Sequence, residues 1–259
     1  NAGVVATDVA AVGTARPGLA ACEYGGDKGI FAYGYNGVTT NYSATNLVSN
    51  AGVVATDVAA AGSARRFSKA CGYGEDKGII GFGYISADTG ITNLISNAGV
   101  VATDVAAVGT ARRMLGACEY GGDKGIFGFG GYAATAITNL VSNAGVVATD
   151  TTGVGTARAN PAACGYGGNK GIFGYGDGPV SMTNLVSNVG VVATDVTGVG
   201  TARNVLAATQ YGGDKGIFGF GDDGSKVSMT NLVSNAGVVA TDVTGVGTAR
   251  SMLGACSFN

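Results

Sequence analysis

A six-residue phrase, Gly-Val-Val-Ala-Thr-Asp, recurs along this chain about every 47 residues. Its copies start at Gly3, Gly52, Gly99, Gly145, Gly190 and Gly237. A fixed period of this length marks a repeat architecture, in which each unit buries its apolar face against the next unit. The period restricts the folds open to the chain more than any other property of the sequence.

Each unit contains the same succession of segments. Arg follows the Asp of the phrase by eight residues; then come an Ala-Cys-x-Tyr segment, an Asp-Lys-Gly-Ile-Phe-Gly-Phe-Gly segment, a variable stretch and a Thr-Asn-Leu-Val-Ser-Asn segment. Most of these segments are rich in Val, Ile, Phe, Tyr or Thr and are bounded by Gly, Asn or Asp, which indicates short β-strands. In the first unit we predict strand A at 19–24, strand B at 29–34, strand C at 45–50 and strand D at 52–57.

Four strands in about 45 residues are typical of one blade of a β-propeller. Helical periodicity is absent, and the 48 glycines of the chain would penalise helices. We therefore predict a single all-β domain over 1–259, a β-propeller of four-stranded antiparallel blades with five complete repeats and a sixth, partial blade from the two termini. The predicted repeats span about 17–57, 66–104, 113–150, 159–195 and 204–242, and the terminal strands span 1–8 and 251–258.

The order of these segments resembles that of the kelch repeat. The resemblance rests on Ala-Arg-Pro-Gly-Leu-Ala-Ala-Cys-Glu-Tyr at 15–24, the Gly-ended strand after it and the return to Val-Gly-Thr-Ala-Arg after strand D, and it covers nearly the whole chain. The chain differs from that family in having no Trp and in carrying Gly-x-Gly, as at Gly174 and Gly176, in place of Gly-Gly. The near-identical repeats also resemble, less closely, those of virion appendage proteins of marine phages. The kelch resemblance implies a ring that closes by completing one blade with strands from both termini.

Strands A and D occur six times, whereas B and C occur five times, because the chain opens on a D and closes on an A. Three interpretations fit this offset. The sixth blade is a two-stranded remnant, or the ring has five blades and the terminal strands add to an edge or to a neighbouring subunit, or the sequence is part of a longer protein. We favour six positions around the ring with the last one incomplete, and the second interpretation would allow assembly through the terminal strands.

Charge and composition exclude several classes of function. The net charge is −2 without a long basic run, so nucleic acid is not an expected partner. The apolar runs are too short for a membrane span, so membrane insertion is not expected. The chain has no His, which excludes Ser-His-Asp and Cys-His catalysis, and its five Cys lack zinc-ligand spacing. We expect no catalytic residue, no metal, no cofactor and free thiols.

The B-to-C and D-to-A connections leave an antiparallel blade at the same end. They are also the two connections that vary between units, whereas the A-to-B and C-to-D turns are nearly constant. Recognition concentrates on loops that a rigid scaffold holds, so we predict a binding face there; the alternative is that these loops vary because nothing constrains them. The candidate binding residues are Tyr35, Asn36, Tyr42, Phe67, Asp88, Tyr132, Asp177, Asp222 and Asp223.

An Asp and an Arg recur in every unit at constant spacing. A ring of guanidiniums could bind anionic ligands, but a feature present in every unit favours a structural pair that joins blade to blade. The residues concerned are Asp8, Arg16, Asp57, Arg65, Asp104, Arg112, Asp150, Arg158, Asp195, Arg203, Asp242 and Arg250.

Taken together, these features predict a non-catalytic binding or structural module. Its variable loops would contact a protein or a glycan, as a component of a virion or of a cell surface. Two alternatives stay open. A glycan-active enzyme that uses a pair of carboxylates needs no His, but nearly every recurrent carboxylate is present in all units, whereas asymmetric chemistry usually needs unique residues. An intracellular kelch-type adaptor would need a partner domain, and none is present in this sequence.

Overall fold

A computed structural model describes residues 3–258 of the chain. These residues form sixteen β-strands and no helix, arranged as five antiparallel sheets that follow one another along the chain. The prediction of an all-β fold built from antiparallel sheets is therefore confirmed. Within the same range, no helix is long and apolar enough to span a membrane.

Each sheet comes from one predicted repeat. Sheet 1 contains β1 (Ala20–Tyr24), β2 (Lys28–Ala32), β3 (Ala44–Val48) and β4 (Val58–Ala59), and sheet 2 contains β5 (Lys69–Tyr73), β6 (Lys77–Gly81) and β7 (Thr92–Ile95). Sheet 3 contains β8 (Gly116–Tyr120), β9 (Lys124–Gly128) and β10 (Thr138–Val141). Sheet 4 contains β11 (Ala162–Tyr166), β12 (Lys170–Gly176) and β13 (Val180–Val186), and sheet 5 contains β14 (Ala207–Tyr211), β15 (Lys215–Gly219) and β16 (Thr230–Val233).

The first three predicted strands occur in every sheet, and a tight turn joins the first to the second. In sheet 1 this turn contains Gly25 and Gly26, both at positive φ (63° and 80°), which glycine adopts without steric penalty. Asp27 follows, and its Oδ2 accepts a hydrogen bond of 2.8 Å from Asn50 Nδ2 at the end of the third strand. The near-constant Gly-Gly-Asp-Lys sequence therefore serves the turn itself.

The fourth predicted strand is much less regular than expected. In sheet 1 the segment 52–57 makes one bridge, between Val48 and Val54, and the two-residue strand β4 begins only at Val58. A side chain explains the interruption: Asn46 Nδ2 donates to Ala55 O at 3.0 Å, where a regular ladder would place a backbone donor. In sheets 2 to 5 the corresponding segments make only isolated bridges to the third strand.

Aromatic residues pack sheets 2, 3, 4 and 5 against one another in order. The ring of Phe173 lies edge-on to that of Phe129, with centroids 5.1 Å apart, and a Cβ added at Gly128 would lie 2.7 Å from Phe173 Cζ. The phenylalanine of one second strand thus fills the space above a glycine in the preceding sheet. The same arrangement joins Phe127 to Gly81 and Phe218 to Gly174.

Glycine is also required where a cysteine of one sheet meets the second strand of the next. A Cβ added at Gly125 would lie 2.6 Å from Cys71 Sγ, so we expect Gly125→Ala to overpack the core and to lower the free energy of unfolding by about 1–3 kcal/mol. Urea unfolding measures the loss. Gly219→Ala is the matched control, because its Cβ would meet only Thr230 Cγ2 at 3.4 Å and Ala32 already occupies this register in sheet 1. Equal losses in the two variants would contradict the packing argument.

The first strands of the five sheets lie innermost. Together with residues 255–257 they line one central cavity of about 50 Å³. Contacts between these strands follow chain order, from β1 to β5, β8, β11 and β14. Gln210 Nε2 on β14 donates to Glu23 Oε1 on β1 at 3.0 Å, so the last sheet also reaches the first one across this cavity.

The two ends of the chain meet between sheets 5 and 1. Residues 3–8 and 251–258 form no regular strand, contrary to expectation, and residues 1–2 of the predicted terminal strand lie outside the described residues. Both segments nevertheless occupy repeat positions. Phe258 packs on Gly52 as Tyr24 packs on Gly99, and Gly3 lies against Tyr211 of sheet 5. Within the part of the chain that the structure describes, neither segment has the partner strand that would make it regular.

Candidate functional site

Backbone hydrogen bonds join the D-to-A connections into a circuit that is open at one link, between Asn160 and Val205. Phe67 N donates to Gly18 O at 2.8 Å, Met114 N to Phe67 O at 3.1 Å, and Asn160 N to Met114 O at 2.7 Å. Beyond Val205, Met252 N donates to Val205 O and Gly18 N to Met252 O. All six residues have positive φ, although only one of them is Gly. Their side chains surround a shallow cavity of about 30 Å³.

The B-to-C connection of each repeat pairs with this circuit. Tyr35 N donates to Pro17 O at 3.2 Å in the first repeat, Gly131 N to Arg113 O at 2.7 Å in the third, and Asp177 N to Ala159 O at 2.8 Å in the fourth. The two variable connections of a repeat are thus neighbours, as the sequence predicted. We call the surface that they form the loop face.

Two arginines dominate one half of the loop face. The Arg66 guanidinium carbon lies 4.7 Å from the ring centroid of Tyr35 and 4.9 Å from that of Tyr84. The Arg113 guanidinium carbon lies 4.5 Å from the centroid of Tyr84 and 5.3 Å from that of Tyr132. Alternating cations and rings of this kind are held by cation–π attraction. We call Arg66, Arg113, Tyr35, Tyr84 and Tyr132, with Phe67 and Asp88 beside them, the Arg–Tyr cluster.

Several polar atoms of this cluster have no hydrogen-bond partner among the described residues. They are Arg66 Nε, Arg113 Nε and Asp88 Oδ1, together with Asn41 Oδ1 next to them. Arg113 Nε and Asp88 Oδ1 form an ion pair at 3.4 Å, and Arg66 Nη1 makes a long hydrogen bond of 3.4 Å to Thr39 O. Buried polar groups are normally satisfied, so this concentration of unsatisfied atoms distinguishes the cluster from the rest of the loop face.

Four of the nine candidate binding residues belong to the Arg–Tyr cluster: Tyr35, Phe67, Asp88 and Tyr132. Tyr132 is 84% exposed and is its most accessible ring. Tyr42 is half-buried and contributes a backbone hydrogen bond from its N to Gly34 O at 2.8 Å.

The other four candidates are engaged in local structure. Asn36 Oδ1 accepts hydrogen bonds from the backbone N of three following residues. Asp222 Oδ1 accepts from Gly224 N at 2.9 Å, and Asp223 Oδ1 accepts from Ser225 N at 3.3 Å. Side chains used in this way stabilise turns. Asp177 accepts from Asn160 Nδ2 and Asn204 Nδ2, which ties together neighbouring D-to-A connections.

Sequence reasoning missed Arg66 and Arg113 as site residues. A signal was present, because only the second and third units carry a second Arg directly after the recurrent one. The other units have Pro17, Ala159, Asn204 and Ser251 at this position.

The recurrent Asp and Arg residues do form pairs, but not in the combination suggested by their eight-residue spacing. Arg16 pairs with Asp57 at 3.3 Å, not with Asp8, and Arg250 pairs with Asp8 at 2.8 Å. Each Arg therefore meets the Asp at the far end of its own repeat. In repeats 2 to 5 the Arg is buried and stacks on an aromatic ring of the preceding sheet, as Arg112 does on Phe82 at 4.3 Å. The pairs thus close each repeat and also join it to its neighbour.

Two glutamates that the sequence did not point to as site residues face the central cavity. The residue between the Cys and the Tyr of the first strand changes from unit to unit, and it is Glu in the first and third units, Glu23 and Glu119. The carboxyl of Glu119 lies over Gly72, which leaves it room. Burial, reinforced by the charge of Glu23, raises the pKa of Glu119 to about 8. Burial also raises the pKa of Glu23, while the hydrogen bond from Gln210 opposes that rise.

The cysteines around this cavity are packing residues. All five are free, and burial raises the pKa of Cys164 and of Cys256 to about 12. Cys22, Cys71 and Cys118 also have raised thiol pKa values because of burial. A thiol with a raised pKa is a poor nucleophile and a poor metal ligand. Over residues 3–258, moreover, no group of three or more Cys, Asp or Glu side chains is arranged to hold a metal ion.

No protein-family model matches the chain, and no curated protein is found to be similar to it in sequence. The kelch-like and phage-appendage resemblances therefore stay predictions.

Proposed function

We propose that this chain is a β-propeller with six positions around a central axis, five of them occupied by complete sheets. Three observations support the proposal. The innermost strands pack on one another in chain order around one cavity, five hydrogen bonds link successive D-to-A connections, and the two chain ends meet between the last sheet and the first. Such a frame holds loops from different repeats rigidly on one face.

We infer further that the loop face binds a partner, a protein or a glycan, that presents an acidic group to the Arg–Tyr cluster. The observation that carries this inference is the stacking of two guanidiniums between exposed or half-buried rings, with Arg66 Nε unsatisfied and Arg113 Nε engaged only in an ion pair with Asp88. Arg binds carboxylate and other oxyanions with a planar fork of donors, and Tyr and Arg contribute disproportionately to binding energy at interfaces.

A third basic residue lies beneath this half of the face. Lys69 lies at the cavity beneath the D-to-A circuit, and burial lowers its pKa to about 8. The carboxylates of Asp177, Asp222 and Asp223 belong to repeats 4 and 5 and are already used by turns and by asparagines. The face is therefore charged asymmetrically, which would orient an acidic partner towards repeats 2 and 3.

The central acids do not favour an enzyme. Glu119 and Glu23 have the unequal surroundings that a carboxylate pair needs, but their cavity of about 50 Å³ is far smaller than the roughly 300–1,000 Å³ typical of small-molecule sites. Such a cavity holds a few water molecules and no sugar ring. We therefore propose a non-catalytic module and assign these acids no step in a reaction.

The experiment is a binding screen against arrays of neutral glycans, acidic glycans and acidic peptides. We expect ligands with acidic groups to bind, and we expect the double variant Arg66→Gln/Arg113→Gln to bind them about tenfold more weakly or worse, because charge-assisted hydrogen bonds are lost. Lys226→Gln is the matched control, since Lys226 is an exposed cation in the fifth B-to-C connection.

The outcomes separate the proposals. Equal losses of affinity in the double variant and in Lys226→Gln would mean that net charge alone determines binding. That result would contradict a specific site at the Arg–Tyr cluster. The absence of any binder on all three arrays would favour loops that vary because nothing constrains them.

A further inference from the structure

The sixth position contains the place of a first strand and of a fourth strand, and no described residue forms a strand between them. Residues 251–258 take the first-strand place, since Cys256 packs on Gly29 as Cys22 packs on Gly78. Residues 3–8 take the fourth-strand place. In the five sheets, a second and a third strand lie between these two places. In the sixth position the described residues leave a cavity of about 230 Å³ at this place.

The residues that line this cavity indicate which kind of side chain would fill it. Val5, Ala208, Gly219, Phe220, Arg250 and Leu253 are among its lining residues. In sheets 2, 3 and 4 the glycine equivalent to Gly219 is covered by a phenylalanine from the second strand of the next sheet. Gly219 has no such neighbour, because a Cβ there would meet only Thr230 Cγ2. The cavity is thus a socket for one aromatic ring on a second strand.

Among the described residues, Arg250 makes fewer hydrogen bonds than the equivalent arginines of the other repeats. Arg158 donates from Nε to Tyr175 O at the end of the second strand and from Nη2 to Asn184 Oδ1 on the third strand, at 2.7 Å each. Arg250 donates only from Nη1, to Asp8 Oδ1 and Thr248 O, within the described residues. Its side chain is 44% exposed, against 1% for Arg158.

In the part of the chain that the structure describes, Asp8 lacks the asparagine donor that contacts the equivalent aspartates of the other repeats. Asp195 accepts hydrogen bonds from Thr156 and from Asn184 Nδ2. Asp8 accepts from Thr248 and Arg250, and no asparagine approaches it within the described range. One carbonyl, one Asn and one aromatic ring would therefore complete the sixth position.

We propose that the sixth position is a binding site for a β-hairpin that carries the repeat's own second- and third-strand sequence. The aromatic residue of its Gly-Ile-Phe-Gly strand fills the socket above Gly219. A carbonyl at the end of that strand accepts from Arg250 Nε, and the Asn of its Thr-Asn-Leu-Val strand bridges Arg250 and Asp8. The hairpin completes the sheet by strand addition, whose main-chain hydrogen bonds provide affinity and whose side-chain pockets provide specificity.

The test is titration of the full chain with a peptide of residues 123–143, which contains Phe127 and Asn139. We expect one peptide per chain and a rise in Tm of several degrees, because a ligand of the folded state stabilises it. We expect about tenfold weaker binding, or worse, for Arg250→Gln and for peptides with Phe127→Ala or Asn139→Ala. Lys226→Gln should bind the peptide as the unaltered chain does.

Three results would overturn the proposal. The first is no binding of the soluble peptide, and the second is binding that neither Arg250→Gln nor Phe127→Ala weakens. The third is a stable dimer that the peptide fails to dissociate, which would assign the position to a second copy. If the peptide aggregates, the same hairpin is fused after Asn259 through a Gly/Ser linker. A fusion whose Tm matches that of a fusion carrying Phe127→Ala and Asn139→Ala in the hairpin would also overturn the proposal.

Discussion

Arg112→Leu is expected to lower the free energy of unfolding by about 3–5 kcal/mol, the range found when one partner of a buried polar network is removed. Arg112 is buried and donates to Phe129 O at 2.9 Å, to Thr110 O at 3.1 Å and to Asn139 Oδ1 at 2.7 Å. Leucine would leave these acceptors unsatisfied and would remove the stacking on Phe82. Urea unfolding followed by tyrosine fluorescence measures the change, since the chain has 11 Tyr and no Trp.

The chain itself provides the control for this prediction. Arg250 occupies the same register in the repeat, but 44% of its side chain is exposed and it keeps fewer acceptors. Arg250→Leu should therefore change stability little, because exposed ion pairs contribute little. Similar losses for the two variants would contradict the view that the second and third strands are what make this Arg important. If Arg112→Leu does not fold, Arg112→Lys keeps the charge without the planar fork and should show a smaller loss.

Glu119→Gln is expected to remove a fall in stability that the unaltered chain shows between about pH 5 and pH 8. The pKa of Glu119 is raised from 4.5 to about 8 in the folded chain, so the folded state keeps a proton that the unfolded state has already lost. Stability contributed by this proton is complete below pH 4.5 and is lost as the pH rises towards 8. The slope approaches about 1.4 kcal/mol per pH unit while the two states differ by one proton.

Thermal unfolding at pH 5 and at pH 8 checks this expectation. Glutamine has the shape of a protonated glutamate and no charge, so the variant should lose much of the difference in Tm between the two pH values. Glu23 adds a smaller dependence of the same sign, because its pKa is also raised by burial. Glu75→Gln changes an exposed glutamate in a turn and is the control variant, because an effect as large as that of Glu119→Gln would contradict the role of burial. A flat profile for the unaltered chain would mean that Glu119 is hydrated and ionised at neutral pH.

The strands could be predicted from the sequence because the same pattern of segments recurs in five or six successive repeats. Strand A was placed within one residue in the first unit, at 20–24 against the predicted 19–24. Strand D could not be predicted in the same way. Val53 and Val54 indicate a strand by composition, but Asn46 donates across to Ala55 and interrupts the ladder. The β-propensity of the residues in strand D gives no information about a side chain of strand C that replaces a backbone hydrogen-bond donor.

The candidate site was only half predictable for a related reason. Internal comparison of the repeats identified the variable connections, and therefore Tyr35, Phe67 and Tyr132. It could not identify Arg66 or Arg113 as the cations that bring these rings together, because their neighbours come from adjacent repeats. Glu119 escaped notice because burial, which gives it an unusual pKa, is a property of the central cavity and not of its neighbours in sequence.

The sequence by itself determined the repeating unit, the all-β class and the ends of the strands at which the variable loops lie, since these follow from periodicity and turn chemistry. Only the tertiary structure decided which Asp meets which Arg, which side chains share the loop face, and that the chain ends come together between sheets 5 and 1. Those contacts join residues far apart in the sequence, such as Asp8 and Arg250 at 2.8 Å. The packing of one sheet on the next brings such residues together, and a repeat pattern contains no record of that arrangement.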